Sequence, residues 1–375
     1  MRKLVVDERS VLEEDAIRQF PINSPPGGWL PALRNLHCTI LTYNLPFIDL
    51  LFSPHLERVS IFAPQWNNSR VPRDVLPILA STISGLPVST LQSLWVRCTM
   101  PSADLEDAIS SVVLRCGPSL AVLTSSFPLS DAAVNHLIQL PHLRTWSVND
   151  PPPGYSVLSF PLVFPPLTEF TLGEGTAQGW LSLFQRLEDR VPATQGVTPL
   201  SRVKESLKCL NVNGPTAPII DTSSTRPIQM FQNLVRLSVR AHCYGGQCAF
   251  RLDNGDVTEL AMALPQLENL LLGSPCPKNT CVTTAACLLP ISVYCAQLDA
   301  VETHFSTTNI LGDLKNTSVD PQFRELRSLP RCMLRRLYTH AMPLTLDESD
   351  FQAVVDGMKY LPVHMEYRRV HWHLA

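Results

Sequence analysis

The stretch LPHLRTWSV, Leu140 to Val148, has near-copies elsewhere in the chain: LPALRNLHC at Leu30, LPQLENLLL at Leu264 and FQNLVRLSV at Phe231. Each repeats a leucine, two polar residues, an apolar residue, a variable residue and another apolar one. No other feature restricts the fold as tightly, because a recurring pattern demands a supersecondary unit that recurs with it. Aligning the first leucine of each copy gives Leu33, Leu56, Leu91, Leu120, Leu143, Leu167, Leu207, Leu234, Leu267, Leu298 and Leu334. The units at Leu120 (PSLAVL) and Leu298 (AQLDAV) match the pattern least well.

Each strong unit ends in a short alternating run. In LRTWSV, Trp146 and Val148 face one way and Ser147 the other; in LVRLSV, Leu237 and Val239 oppose Ser238. Alternation of this kind marks a strand with one buried face. A strand this short forms no stable sheet alone. Helical patterns precede several units. SDAAVNHLIQL, from Ser130, offers an N-cap followed by Ala133, Leu137 and Leu140 at spacings of four and three. DVTELAMAL, residues 256–264, behaves alike with Asp256 as candidate cap, and PLSRVKESL, from Pro199, is a third example.

The unit is therefore helix, turn, Leu-x-x-Leu-x-Leu strand and loop. Each unit leaves an apolar face that only its neighbour covers. Stacking predicts an α/β solenoid: a curved parallel sheet on the concave side, with helices and loops on the convex side. Prolines, 33 of 375 residues, exceed the usual share of about 5% and often sit just ahead of the repeated leucine. There they punctuate short elements, since proline cannot join an interior hydrogen-bond ladder.

The pattern resembles the leucine-rich repeat family. Its irregular length and its prolines before leucine look most like the C-terminal repeat arrays of fungal F-box-type proteins. The segments LAMALPQLENLLLGSPCPKNTC, LLPISVYCAQLDAVETHFSTTNI and PLTLDESDF carry that likeness, which spans roughly residues 30 to 356. The resemblance implies a substrate receptor in ubiquitin ligation, joined to a Skp1-like adaptor through an F-box. No F-box is visible, and residues 1–29 are too short for one. They are expected to be a helical cap or linker, with a helix from about Asp7 to Phe20. The array is expected over 30–345. Residues 346–375 are expected to form a cap helix, begun by Asp347, Glu348 and Asp350, and an irregular tail.

Bulk properties narrow the function classes. A net charge of -3 leads to the expectation of no basic stripe to hold a nucleic-acid backbone, and so of no nucleic-acid partner. No run of about 18 apolar residues suggests a membrane span. Charges in the first residues argue against a signal peptide. The 11 cysteines are then expected to be reduced thiols in the cytoplasm or nucleus.

Two constellations invite chemistry. TEFTLGEGTAQGWLSLFQRL places Gly173, Gly175 and Gly179 between a strand and a helix, where backbone N–H groups could cradle a phosphate. This defines the alternative function, a nucleotide-binding α/β enzyme, which requires a doubly wound sheet with reversed strand order. The spacing G-x-G-x-x-x-G departs from the dinucleotide fingerprint, and Glu174 would crowd an anion. Cys243, Cys248, Cys276 and Cys281 fall in loops of consecutive units and would suit a tetrahedral zinc site, although C-x4-C is looser than C-x2-C. No H-E-x-x-H, G-x-S-x-G or P-loop occurs, so no catalytic set, metal or cofactor is assigned.

Function in such an array sits on the variable strand positions of the concave face. Register gives His37 and Thr39, Trp95 and Arg97, Ser147 and Asn149, Asn211 and Asn213, Ser238 and Arg240, Glu302 and His304, and Tyr338 and His340. Trp, Tyr and Arg dominate protein interfaces, which singles out Trp95, Arg97, Arg240 and Tyr338. The expected function is non-enzymatic recognition of a protein partner.

Overall fold

The computed structural model describes residues 2–6, 30–40, 48–63, 75–98, 102–148, 166–172, 204–214, 220–241, 250–273, 282–303 and 336–339. The chain divides into two compact units, residues 1–169 and 170–375. In unit 1, strands β1 (Lys3–Val6), β2 (Asn35–Thr39), β3 (Arg58–Ala63), β4 (Ser93–Cys98), β5 (Val122–Ser125) and β6 (Thr145–Val148) pair in chain order, all parallel. β7 (Glu169–Leu172) straddles the boundary. In unit 2, β8 (Cys209–Gly214), β9 (Arg236–Ala241), β10 (Asn269–Leu272), β11 (Ala300–Thr303) and β12 (Arg336–Thr339) do the same. This is leucine-rich-repeat architecture. The two weakest sequence matches, at Leu120 and Leu298, form β5 and β11 like the rest.

The recurring leucine works at the turn before each strand. Its N–H donates to the carbonyl three residues back at Leu33, Leu56, Leu91, Leu120, Leu143, Leu234, Leu267 and Leu298. That closes a β-turn, and Pro31, Pro54, Pro118, Pro141 and Pro265 occupy its second position, where a fixed φ near −65° is wanted. The proline excess thus has a local cause. The leucine side chain points inward, and all ten of these leucines within the described residues are buried.

Immediately after the turn, two successive N–H groups share one carbonyl of the preceding repeat. Glu57 and Arg58 donate to Arg34 O, Gln92 and Ser93 to Glu57 O, and Ala121 and Val122 to Gln92 O; in unit 2, Glu268 and Asn269 donate to Val235 O. This step locks register, so the buried positions stack as Leu36, Val59, Leu94, Leu123 and Trp146 in unit 1. The equivalent column in unit 2 is Leu210, Leu237, Leu270 and Val301. Side chains lace the turns as well: Thr90 Oγ1 donates to Leu56 O at 2.9 Å, and Ser119 Oγ to Leu91 O at 2.9 Å.

Helices cover the other ends of the repeats. In unit 1, α1 (Val75–Ser84), α2 (Ala103–Arg115) and α3 (Asp131–Leu137) pack in succession. α2 buries Leu105, Ala108, Ile109, Val112 and Val113, a stripe at spacings of three and four. Its termini are well matched to the helix dipole, with the Ser102 hydroxyl accepting from Leu105 N, Asp104 and Glu106 in the first turn, and Arg115 in the last. Ser130 caps α3 as its sequence suggested, accepting from Ala133 N at 3.3 Å. In unit 2, α4 (Asn254–Ala263) packs against α5 (Leu288–Tyr294).

Two expectations are revised. The cap of α4 is Asp253 rather than Asp256. Asp256 sits at the third helical position and returns its carboxylate to Asp253 N, closing a reciprocal capping box. β1 lies within the first 29 residues, expected to be a helical cap or linker; residues 7–29, with the helix expected from about Asp7 to Phe20, fall outside the described residues, as do the cap helix and tail expected over 346–375. Finally, strand order does not reverse in either unit among the described residues, contrary to the doubly wound sheet that a nucleotide-binding enzyme requires.

Candidate functional site

Alternation sends every second strand residue to the face opposite the leucines. In unit 1 these form rows across the strands. One row is Lys3, Asn35, Arg58, Ser93, Val122 and Thr145; the next is Val5, His37, Ser60, Trp95, Thr124 and Ser147. Thr39, Phe62 and Arg97 make a third.

Trp95 is the outstanding member. It is 51% exposed in the middle of β4, between two buried neighbours, Leu94 and Val96. Arg97 is exposed on the same face, and His37 lies two strands away in the Trp95 row, also exposed. Val5, at the end of that row, is 44% exposed. A hollow of about 260 Å³ opens here, lined by Lys3, Asn35, His37, Arg58, Ser60 and Trp95 among others. Asn35 is among the lining residues, and its Oδ1 is buried from solvent with no hydrogen-bond partner among the described residues.

Charge on this face is one-sided. Lys3, Arg58 and Arg97 are cationic and exposed, and β1–β6 place no Asp or Glu at the outward positions. Glu57, just before β3, is engaged in an ion pair with Arg34. The first outward acid, Glu169, opens β7 at the far end. The net charge of -3 averages this segregation away.

Thr39 was expected on the accessible face but is buried. Its register partner on that face is the large side chain of Phe62. The equivalent face of unit 2 is mixed in charge. Asn211 donates from Nδ2 to Thr171 Oγ1 at 3.1 Å, which holds its amide in place. Arg240 is exposed and lies 3.8 Å from a Glu302 carboxylate oxygen, a separation at which exposed charges contribute little. Asn213 lies in β8 in register with Arg240, and Tyr338 in β12 in register with Glu302. Asn149, His304 and His340 fall outside the described residues, as do the Gly173–Gly179 turn and the zinc candidates Cys243, Cys248, Cys276 and Cys281.

Among the described residues no group of three or more His, Cys, Asp or Glu side chains is placed to hold a metal ion. No helix among them is long and apolar enough to cross a membrane. Cys38, Cys116 and Cys287 are free thiols in the core. Burial pushes each thiol up to about 12, only partly opposed at Cys116 by the Arg115 charge and at Cys287 by a backbone hydrogen bond. They stay neutral at ordinary pH and serve packing rather than nucleophilic chemistry.

No family model and no curated protein matches this sequence. Among solved structures, the chain is similar to the leucine-rich repeat-containing protein LegL7 from Legionella pneumophila, with 11% sequence identity and a TM-score of 0.37, over 98% of this chain and 92% of that one.

Proposed function

We propose that this chain is a non-enzymatic recognition scaffold that binds another protein through the solvent face of its strands. The observation that carries this reading is Trp95, an indole half exposed on a rigid strand and flanked on its own face by Arg97 and Arg58. An exposed aromatic in a sheet centre leaves apolar area in water, and Trp and Arg together are the residue types on which interface energy concentrates. The strand pairing holds these side chains in fixed order before any partner arrives, which lowers the entropy cost of binding.

A finer role rests on the sequence resemblance to F-box-type proteins: a substrate receptor in ubiquitin ligation, working with a Skp1-like adaptor. The neutral buried thiols fit the reducing cytoplasm or nucleus where that role would be exercised. Affinity capture with the wild-type chain, a Trp95→Ala/Arg97→Ala variant and a helix-side control, Ile78→Ser, tests both levels. Partners held by wild type and control but lost by the strand-face variant support recognition through this face. Skp1-like and cullin components among them support the ligase role, and their reproducible absence leaves a plain interaction module. Partners that ignore the strand-face variant refute the scaffold reading.

A further inference from the structure

Resting on the scaffold reading, we propose that the outward face of β1–β4 takes an acidic peptide segment in extended conformation. Its carboxylates sit on Arg58 and Arg97, and an apolar side chain between them packs on Trp95. The charge of the face selects the partner's sign. Three exposed cations face outward from β1–β6 and no acid answers them at those positions, in a chain whose total charge is negative. A basic partner would meet like charge, and a neutral one would leave the cations unmatched.

The register selects the spacing. Arg58 pairs with Ser93, so Arg58 and Arg97 stand one strand apart and four residues apart along the strands. At about 3.3 Å per residue this is roughly 13 Å of strand length. An extended peptide lying along the strands repeats that distance between residues i and i+4. Residue i+2 then falls at the Trp95 row. The motif is acid, any, apolar, any, acid. Lys3, two strands from Arg58 and therefore about 10 Å away, extends the positive field toward β1.

The hollow adds a second requirement. Ser60 and Ser93 line it on the same face as Arg58 and Trp95, and a hydroxyl accepts as well as donates a hydrogen bond. A peptide backbone brings N–H donors together with the carboxylates. RNA also brings donors in its 2′-hydroxyls, so hydrogen bonding does not separate the two; an apolar side chain seated between two carboxylates on one face is the arrangement a polypeptide supplies, and RNA is the competitor in the test.

The test is selection from a displayed library of random ten-residue peptides on the full chain. Fluorescence anisotropy follows with a selected peptide, its Glu→Gln counterpart and a mixed-sequence ten-nucleotide RNA. The expected result is enrichment of acidic residues four apart around an apolar one. Glu→Gln in the peptide weakens binding about tenfold, the combined effect of two exposed charge contacts. Trp95→Ala weakens it at least about tenfold. Arg58→Glu/Arg97→Glu reverses the preference toward lysine-bearing peptides. Arg58 and Arg97 are exposed, so the charge-reversal variant keeps the wild-type thermal midpoint; Trp95 is half buried, so its variant is assayed well below its own midpoint. The proposal is overturned by selection without acidic enrichment, by no enrichment, by acidic binding that survives the double charge reversal, or by RNA bound more tightly than peptide. Selected peptides of other chemistry that still depend on Trp95 or Arg240 overturn this inference and leave the scaffold intact. Peptide binding indifferent to every strand-face substitution removes both.

Discussion

Truncating the repeated leucines in pairs measures whether each repeat leans on its neighbours in chain order. Leu33, Leu56, Leu91 and Leu120 are all buried, and each stands three residues before a member of the column Leu36, Val59, Leu94, Leu123. Leu91→Ala removes three carbons, or about 2.4 kcal/mol of transfer free energy at 0.8 kcal/mol per methylene. The cavity left behind raises the loss to about 3–4 kcal/mol. Leu56 and Leu91 are one strand spacing apart, about 5 Å, so their cavities merge in the double variant. That pair should show a coupling of about 0.5–2 kcal/mol. Leu33 and Leu120 are three spacings apart, about 14 Å, and their effects should add to within about 0.5 kcal/mol. Urea unfolding followed by far-ultraviolet circular dichroism supplies the free energies of wild type, the single variants and both double variants, with exposed Met262→Ala as the indifferent control. Coupling between Leu33 and Leu120 equal to that of Leu56 and Leu91, or single losses below about 1 kcal/mol, would refute stacking in chain order.

Three further outcomes follow from local geometry. Asp253→Ala removes the cap of α4 and opens its reciprocal bond with Asp256, which should cost about 1 kcal/mol in urea unfolding, while Glu259→Ala on the same helix should cost little. Thr90→Val deletes the hydroxyl that donates to Leu56 O and should lower stability by about 1 kcal/mol; an unchanged midpoint would show that turn lacing contributes nothing. Stability should also fall in alkali. Below pH 9 the thiols of Cys38, Cys116 and Cys287 are protonated whether the chain is folded or not. Between 9 and 12 the unfolded chain releases protons that the folded one retains, so each thiol lowers stability by up to about 1.4 kcal/mol per pH unit. Thermal midpoints from pH 7.5 to 10.5 should slope downward, and Cys38→Ala should flatten the slope; the same slope in both proteins would contradict the assignment.

The repeat was legible because a leucine fills the core at the same place in each unit, just past a turn that its backbone N–H closes in eight of them. Even the weak units at Leu120 and Leu298 kept it and formed strands. β1 was not legible, since Lys3–Val6 is a four-residue strand that does not carry the repeated leucine pattern. The cap of α4 was misplaced by three residues because Asp253 and Asp256 are both acids at the start of one helix. Only their reciprocal bonds tell cap from third position.

Trp95 and Arg97 could be read from alternation alone. The one-sided charge could not, because Lys3, Arg58 and Arg97 are far apart in sequence and meet only when the strands come into register. The same step explains Thr39: alternation aims it outward, but Phe62 beside it in register shares its face and it is buried. A single chain also gives no sign of Asn35, whose acceptor is orphaned by its surroundings rather than by its neighbours in sequence.

Methyl–methyl nuclear Overhauser spectra of protein labelled at Leu, Ile and Val test chain-order stacking most directly. The account predicts unbroken cross-peak paths from Leu36 to Val59 to Leu94 to Leu123 in unit 1 and from Leu210 to Leu237 to Leu270 to Val301 in unit 2. A path that skips a repeat, such as Leu36 directly to Leu94 with Val59 elsewhere, would contradict it.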